Sequence, residues 1–197
     1  MAKKVFLVSD LHFGHRKMYE LPFLNADGSR VRPFSSCNEA DEEMVQRWNE
    51  TVGQHDKVYV LGDIAIPMNG LNYFERLNGD KVLIAGNHDW PFEKKLGKYF
   101  RSVRAYWKLD NFILSHVPVH PDSLRNFSGN IHGHLHSGKV MLSNGSIDPR
   151  YLCVCVEHTD YKPIELEEVV SRFEDQKKAW YNETVSQPLA PTLTIYL

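Results

Sequence analysis

Histidine is the commonest metal ligand and the side chain that titrates nearest neutrality, so its clustering along a chain carries chemical information. This chain of 197 residues holds ten histidines. Eight of them, His12, His15, His88, His116, His120, His132, His134 and His136, fall into tight groups. Carboxylates and an amide accompany them. Asp10 and His12 form a D-x-H triplet, and Asp63 follows Gly62. Gly86-Asn87-His88-Asp89 is one run, and His116 closes the run NFILSH. His134 and His136 follow Gly133 as G-H-x-H. Extended residues at i and i+2 point the same way, so each D-x-H or H-x-H pair is expected to aim two groups at one point. Taken singly, each motif has an ordinary reading as a turn aspartate or a satisfied core histidine. Their recurrence at five segment ends points instead to a divalent-metal site. Nitrogen and oxygen donors without thiolate suit Mn, Fe, Co, Ni or Zn.

The elements around these residues explain the placement. VFLVSD (5–10), KVYVLGD (57–63) and KVLIAGNHD (81–89) are short apolar runs ending in polar turns and read as buried strands. Residues 13–35 have no period and read as a long functional loop. Ser36 to Glu39 fits a capping box, and Met44, Trp48 and Val52 recur at helical spacing, which predicts a helix over 38–52. A short helix is predicted at about 70–78, ending at Gly79, and another from Pro91 to about Phe100. Strands are expected over 102–109 and 112–117, joined at Asp110-Asn111, and again over 130–136 and 151–157. Residues 165–182 read as a closing helix. Strands alternating with helices, then hairpin strands, predict an α/β domain with mixed sheets, and ligand sites in such folds gather outside the carboxyl ends of strands. One domain is expected over 1–183, with an extended arm over 184–197.

Composition bounds the rest. Hydrophobic residues are 42% and charged residues 24%, the balance of a soluble globular domain rather than a disordered chain. No apolar run approaches the ~20 residues that span a bilayer, and the N-terminus does not read as a secretory signal. Three cysteines are neither a disulfide framework nor a zinc knuckle, so reduced thiols and a cytoplasmic location are expected. A net charge of −2 argues against bulk nucleic-acid affinity. The run 94–108, with Lys94, Lys95, Lys98, Arg101, Arg104 and Lys108, reads as a solvated face.

The order D-x-H, G-D, G-N-H-D, H, G-H-x-H resembles the calcineurin-like metallophosphoesterase superfamily over about residues 4–170. SDLHFGH, RPF, VLGDIA, LIAGNHD and NIHGHLH are similar to a small bacterial and phage branch of it. The resemblance implies a four-layer α/β/β/α sandwich, two mixed β-sheets flanked by helices, with a two-metal centre. Carried over by motif, Asp10, His12 and His136 hold one metal, Asn87, His116 and His134 hold the other, and Asp63 bridges them. His88 stands beside the metals, near the leaving group. The implied activity is hydrolysis of a small, nucleotide-like phosphomonoester or phosphodiester by a hydroxide bridging the ions. The alternatives are a nuclease on single-stranded nucleic acid or a catalytically silent scaffold.

The chemistry agrees with that ligand set. Two divalent ions about 3.5–4 Å apart clamp the attacking and leaving oxygens of an in-line displacement. The carboxylates of Asp10 and Asp63 cancel only half of the ions' charge, which leaves a site suited to an anion. His88 is expected to stabilise the transferring phosphoryl oxygens or protonate the leaving alkoxide. Many superfamily members carry G-D-x-x-D, whose second Asp orients the histidine of G-N-H. This chain has Ile66 at that place. His15 and Arg16 are candidate substrate contacts, and Arg32 a possible phosphate contact. His120 is expected to be structural, and His132, alternating with His134, to orient a ligand. The tail TLTIYL, Thr192–Leu197, is apolar enough to add a strand to a sheet edge.

Overall fold

The computed structural model of the chain describes residues 3–20, 24–25 and 27–186. Within them the strands are β1 Val5–Val8, β2 Lys57–Val60, β3 Asp80–Ile84, β4 Ser102–Arg104, β5 Tyr106–Leu109, β6 Phe112–Ser115, β7 Gly129–His132, β8 Tyr151–Cys153 and β9 Ile164–Glu165. The α-helices are α1 Lys17–Glu20, α2 Cys37–Thr51, α3 Glu93–Leu96 and α4 Leu166–Ser186. One sheet has the order β4-β3-β2-β1-β9, and the other β5-β6-β7-β8. Strands β1 to β4 pair in parallel and β9 closes that sheet antiparallel. In the second sheet β5 is antiparallel to β6, while β6, β7 and β8 are parallel. The expected pair of mixed sheets is present.

Side-chain alternation sorts the first sheet into two cores. Phe6, Val8, Val58, Val60 and Leu83 turn outward, where Met44, Val45 and Trp48 of α2 cover them. Leu7, Tyr59, Leu61, Val82 and Ile84 turn inward against Phe112, Leu114, Ile131 and Leu152 of the second sheet. Val169 and Phe173 of α4 join this inner core. Dispersion and burial of these faces bring the two sheets together, and with them the loops at their strand ends.

The chain departs from the sequence reading at several places. The expected strand 102–109 is two strands, because the chain leaves the first sheet after β4 and enters the second at β5. The helices expected at 70–78 and from Pro91 are mostly tighter: 3₁₀ turns at Met68–Glu75 and Trp90–Phe92, the latter running into the single turn of α3. Strand β7 stops at His132, so 133–136 is not extended, and β8 gives way to a 3₁₀ turn at Val156–His158. Ser36 Oγ accepts from Glu39 N at 3.2 Å as a capping box requires, but the Glu39 carboxylate accepts from Ser35 N. Helix α4 continues to Ser186, past residue 182, where the closing helix was expected to end, and into the arm expected from 184. Residues 187–197, with the tail TLTIYL, lie outside the described residues. Among those described, no helix is long and apolar enough to cross a membrane.

Candidate metal centre

Each chemical residue sits just past the end of a strand. Asp10 and His12 follow β1, Asp63 follows β2, Asn87 and His88 follow β3, His116 follows β6, and His134 and His136 follow β7. The aiming device differs from the one expected. Asp10, His12, Asp63, His134 and His136 all have φ between 49° and 71°, the left-handed region, rather than extended backbone. For non-glycine residues this conformation is costly and persists only where the surroundings enforce it. Backbone bonds do so here: Asp10 N donates to Gly62 O at 3.0 Å, His12 N to Asp63 O at 3.0 Å, and Gly133 N to His116 O at 2.9 Å. Close approach adds to this. A Cβ on Gly62, itself at φ 90°, would come within 2.6 Å of His116 Nδ1 and of the Gly86 backbone. One on Gly133 would collide with Ser9 Oγ and Asp10 Oδ2.

Two groups of possible metal ligands result, Asp10 with His12 and His136, and Asp63 with His116 and His134. The ligand atoms within each group lie within 4.8 Å of one another. Asp63 stands between the groups. Its Oδ2 is 3.7 Å from His12 Nε2 and its Oδ1 is 3.4 Å from His116 Nε2. Asn87 Oδ1 lies 2.9 Å from His116 Nε2, so it faces the second group. The His88 ring is 49% exposed, with Nε2 3.9 Å from Asp63 Oδ2. Its backbone N–H donates to Asp63 Oδ1 at 2.9 Å.

The unspent valences of these atoms fit divalent cations. Asp10 Oδ2 accepts from Ser9 Oγ at 2.6 Å, His134 N at 2.8 Å and Cys155 Sγ at 3.1 Å. Asp10 Oδ1 and His12 Nε2 are buried with no hydrogen-bond partner. His116 Nδ1 donates to Leu61 O at 2.7 Å, which turns Nε2 toward the oxygens of Asn87 and Asp63. His136 Nδ1 donates to Glu157 Oε1 at 3.0 Å, which aims Nε2 at Asp10 Oδ1, 3.8 Å away. Lone pairs converging in a buried site are costly unless a cation fills the space between them.

Protonation states follow from the same contacts. Burial opposes charge on Asp10, but the neighbouring imidazoles of His12, His116 and His136 hold its carboxyl far below the usual range. Burial pushes His12 down, so it pairs as a neutral ring with an ionised Asp10. Burial alone would lower His116; its bond to Asp63 and the charges of Asp10 and Asp63 outweigh this and raise it to about 9. Burial and the nearby His12 and His88 lower His15 to about 4.

The remaining candidates divide. His15 lies with its ring centroid 5.5 Å from that of His12, and with Arg16 it lines a cavity of about 510 Å³ beside the site. Arg32 does not face solvent phosphate as supposed. It is 3% exposed, donating to Leu11 O at 2.9 Å, to Asp10 O, and to Glu157 Oε1 at 2.8 Å. It braces the backbone of the D-x-H turn from behind. His120 caps the 3₁₀ turn Pro121–Leu124, accepting from Asp122 N at 3.2 Å. His132 does not alternate with His134 on one strand, because β7 ends between them; its Nδ1 bonds Gly133 O at 2.8 Å. Sequence reasoning missed Glu157, the partner of His136 and Arg32. Its signal was an acid closing the apolar run YLCVCVE, the same pattern as the other strand-end residues. Asp89 was read as a turn residue; its carboxylate also accepts from Asp63 N, Ile64 N and Gly86 N and ties two of the site's loops together.

The sequence profile of calcineurin-like phosphoesterases matches residues 3–191. The chain belongs to the calcineurin-like phosphoesterase family. It is 34% identical over 182 residues to "Uncharacterized protein MJ1445" of Methanocaldococcus jannaschii, a match covering 89% of this chain and 94% of that protein. It is 29% identical over 127 residues to the "Gene 66 protein" of Mycobacterium phage L5, covering 60% of this chain and 56% of the phage protein. The crystal structure of AQ665, a protein of unknown function from Aquifex aeolicus, superposes with a TM-score of 0.65 at 24% identity. That superposition covers 86% of this chain and 99% of AQ665 and bears on the fold.

Two expected results test this phosphoesterase-family site. Glu157→Gln removes a buried carboxylate held down to about 2, burial opposing and Arg32 prevailing. It leaves the Arg32 charge uncompensated, and such losses cost about 3–5 kcal/mol. It also weakens the hold on His136, for which about 10–100-fold in metal affinity is expected. Urea unfolding and Mn²⁺ titration check both; an unchanged midpoint contradicts the bracing role.

The second concerns protons. A raised imidazole stabilises the metal-free fold below the ordinary 6.5, and that contribution is lost as pH climbs through about 9. Metal needs the neutral ring, so affinity runs the opposite way and rises with pH until about 9. Binding of Mn²⁺ at pH 7.5 should release roughly one proton from His116. Calorimetry in buffers of different ionisation enthalpy measures it; heats independent of buffer contradict it.

Proposed function

We propose that this protein is a binuclear metallophosphoesterase acting on a small, nucleotide-like phosphomonoester or phosphodiester. The observation that carries the reading is Asp63, whose two oxygens face two separate clusters of ligand atoms. Asp10, His12 and His136 would hold one ion; Asn87, His116 and His134 would hold the other; Asp63 would join them. When bound, the ions, manganese first among Mn, Fe, Co, Ni and Zn, supply Lewis acidity at the phosphoryl oxygens and lower the pKa of water.

The chain's own residues do the rest. Asn87 contributes an oxygen without a charge and so preserves the site's attraction for an anion. His88, half exposed at the rim, meets the phosphoryl group. His15, neutral at physiological pH, and Arg16 line the adjoining cavity and would orient the rest of the substrate. Asn38, Asn69 and Tyr73 on the same walls offer hydrogen bonds to a polar, ring-bearing group. A cytoplasmic location belongs to this proposal, as it did to the reading of the thiols.

A nuclease on single strands is the second reading. Trp90 and Tyr106 are 66% and 68% exposed, close in sequence to Lys94, Lys95 and Arg104, and exposed aromatics beside cations suit stacked bases. Against it, Lys98 and Arg101 are paired with Glu75 and Asp80. Hydrolysis by the purified, Mn²⁺-loaded protein of p-nitrophenyl phosphate, its bis-ester, cyclic nucleotides and single-stranded DNA tests the readings. Preference for the small esters is expected. Turnover of long DNA at low enzyme concentration favours the nuclease, and no turnover with both metals bound favours a silent scaffold.

A further inference from the structure

Against Asp10 Oδ2, the oxygen other than the one nearest His12 and His136, two thiols stand together. Cys153 Sγ lies 3.2 Å from Cys155 Sγ, and Cys155 Sγ lies 3.1 Å from Asp10 Oδ2. The contacts form a relay, with the Cys153 thiol donating to Cys155 and the Cys155 thiol donating to Asp10. Strand β8 ends at Cys153, and Cys155 already caps the 3₁₀ turn Val156–His158. Cys155 also bridges to Ser9, so closing the 3.2 Å between the sulfurs to a bond of about 2.05 Å falls to rotation of the two side chains. Access is one-sided. Cys155 is fully buried, whereas Cys153 is half-buried and opens onto a cavity of about 180 Å³ lined by His132, Lys139, His158 and Arg172. The metal-centre reading uses neither thiol.

We propose that Cys153 and Cys155 are a redox modification site, oxidised by a small hydroperoxide to a disulfide that weakens metal binding through Asp10. The Cys153 sulfur attacks the terminal peroxide oxygen; the O–O bond breaks, and the leaving alkoxide takes the thiol proton. The sulfenic acid so formed is attacked by the Cys155 sulfur. The S–S bond forms, the S–O bond breaks, and the departing hydroxide takes the Cys155 proton as water. Two thiols are oxidised and one peroxide is reduced. The disulfide has no proton to donate, so Asp10 Oδ2 keeps Ser9 and His134 but loses its third donor. Loss of such outer partners lowers metal affinity about 10–100-fold. Cys153 also lies 3.7 Å from the His136 carbonyl, so the same step touches the G-H-x-H turn. The effect on metal rests on the metal-centre reading; the disulfide itself does not.

The experiment treats the full chain with cumene hydroperoxide, alkylates remaining thiols and maps them by mass spectrometry, with Mn²⁺ affinity measured before and after. The expected result is a Cys153–Cys155 cross-link with Cys37 still alkylated, a drop in Mn²⁺ affinity of about tenfold or more, and recovery with dithiothreitol. Cys153→Ser should bind Mn²⁺ as the parent does and lose the response to peroxide. Alkylation of both thiols after treatment, over-oxidation without a cross-link, a cross-link that leaves affinity unchanged, or a response persisting in Cys153→Ser each overturn the proposal. Failure of the reduced parent to bind Mn²⁺ refutes the metal centre and with it the coupling to Asp10, while the mass map still decides the cross-link.

Discussion

Asp63→Asn should bind at least one metal ion fewer than the parent and lose nearly all hydrolysis while keeping its fold. Asp63 is a charged group that faces both ligand clusters, with an oxygen 3.7 Å from His12 and another 3.4 Å from His116. An amide of the same shape keeps an oxygen to accept from His88 N but removes the negative charge that would lie between the two ions. It also withdraws the carboxylate that raises His116, so the metal-free site changes its proton affinity as well. Losing an ion's charge stabilisation costs several kcal/mol in the transition state, and at about 1.4 kcal/mol per factor of ten this is on the order of 10³ in turnover. Elemental analysis and turnover, with circular dichroism as the check on folding, decide it. Two ions at full occupancy in the variant contradict the bridging role.

His88→Ala is expected to keep both ions and lose about 10²–10³ in turnover, by a similar factor on alkyl and aryl esters. Its ring lies at the rim, 5.7 Å between centroids from His12 and 3.9 Å from Asp63 Oδ2, so it borders the clusters without belonging to either. Ile66 occupies the sequence position at which the resemblance to G-D-x-x-D members would put an Asp orienting His88. Stabilisation of phosphoryl charge is the role this arrangement favours, and that role is indifferent to the leaving group. A general acid would show otherwise, with a loss large for an alkyl ester and small for nitrophenolate, which needs no proton. The two esters, assayed with metal content held equal, separate the roles. A variant as fast as the parent on both removes His88 from the mechanism.

Sequence order alone carried the family, the pairing of strands with helices and the list of chemical residues. Those properties are local: an apolar run long enough for a strand, a polar turn behind it, and a residue type that chemistry restricts. How the residues aim was not local. The i, i+2 rule for extended chains located Asp10 with His12 and His134 with His136 but supplied the wrong backbone. Both pairs are in left-handed turns held by bonds to Gly62, Asp63 and His116, 17 or more residues away in each case. Arg32 shows the same limit. An arginine in a polar loop reads as a phosphate contact, and only packing reveals that its fork is spent on Leu11, Asp10 and Glu157. The partners of Glu157 and Cys155 became visible only when the end of β8 was laid beside the ends of β7 and β1, because a partner is defined by distance in space. The split between β4 and β5 has the same origin: one continuous run of strand-forming residues serves two sheets, and which residue turns the corner is decided by what each half must bury.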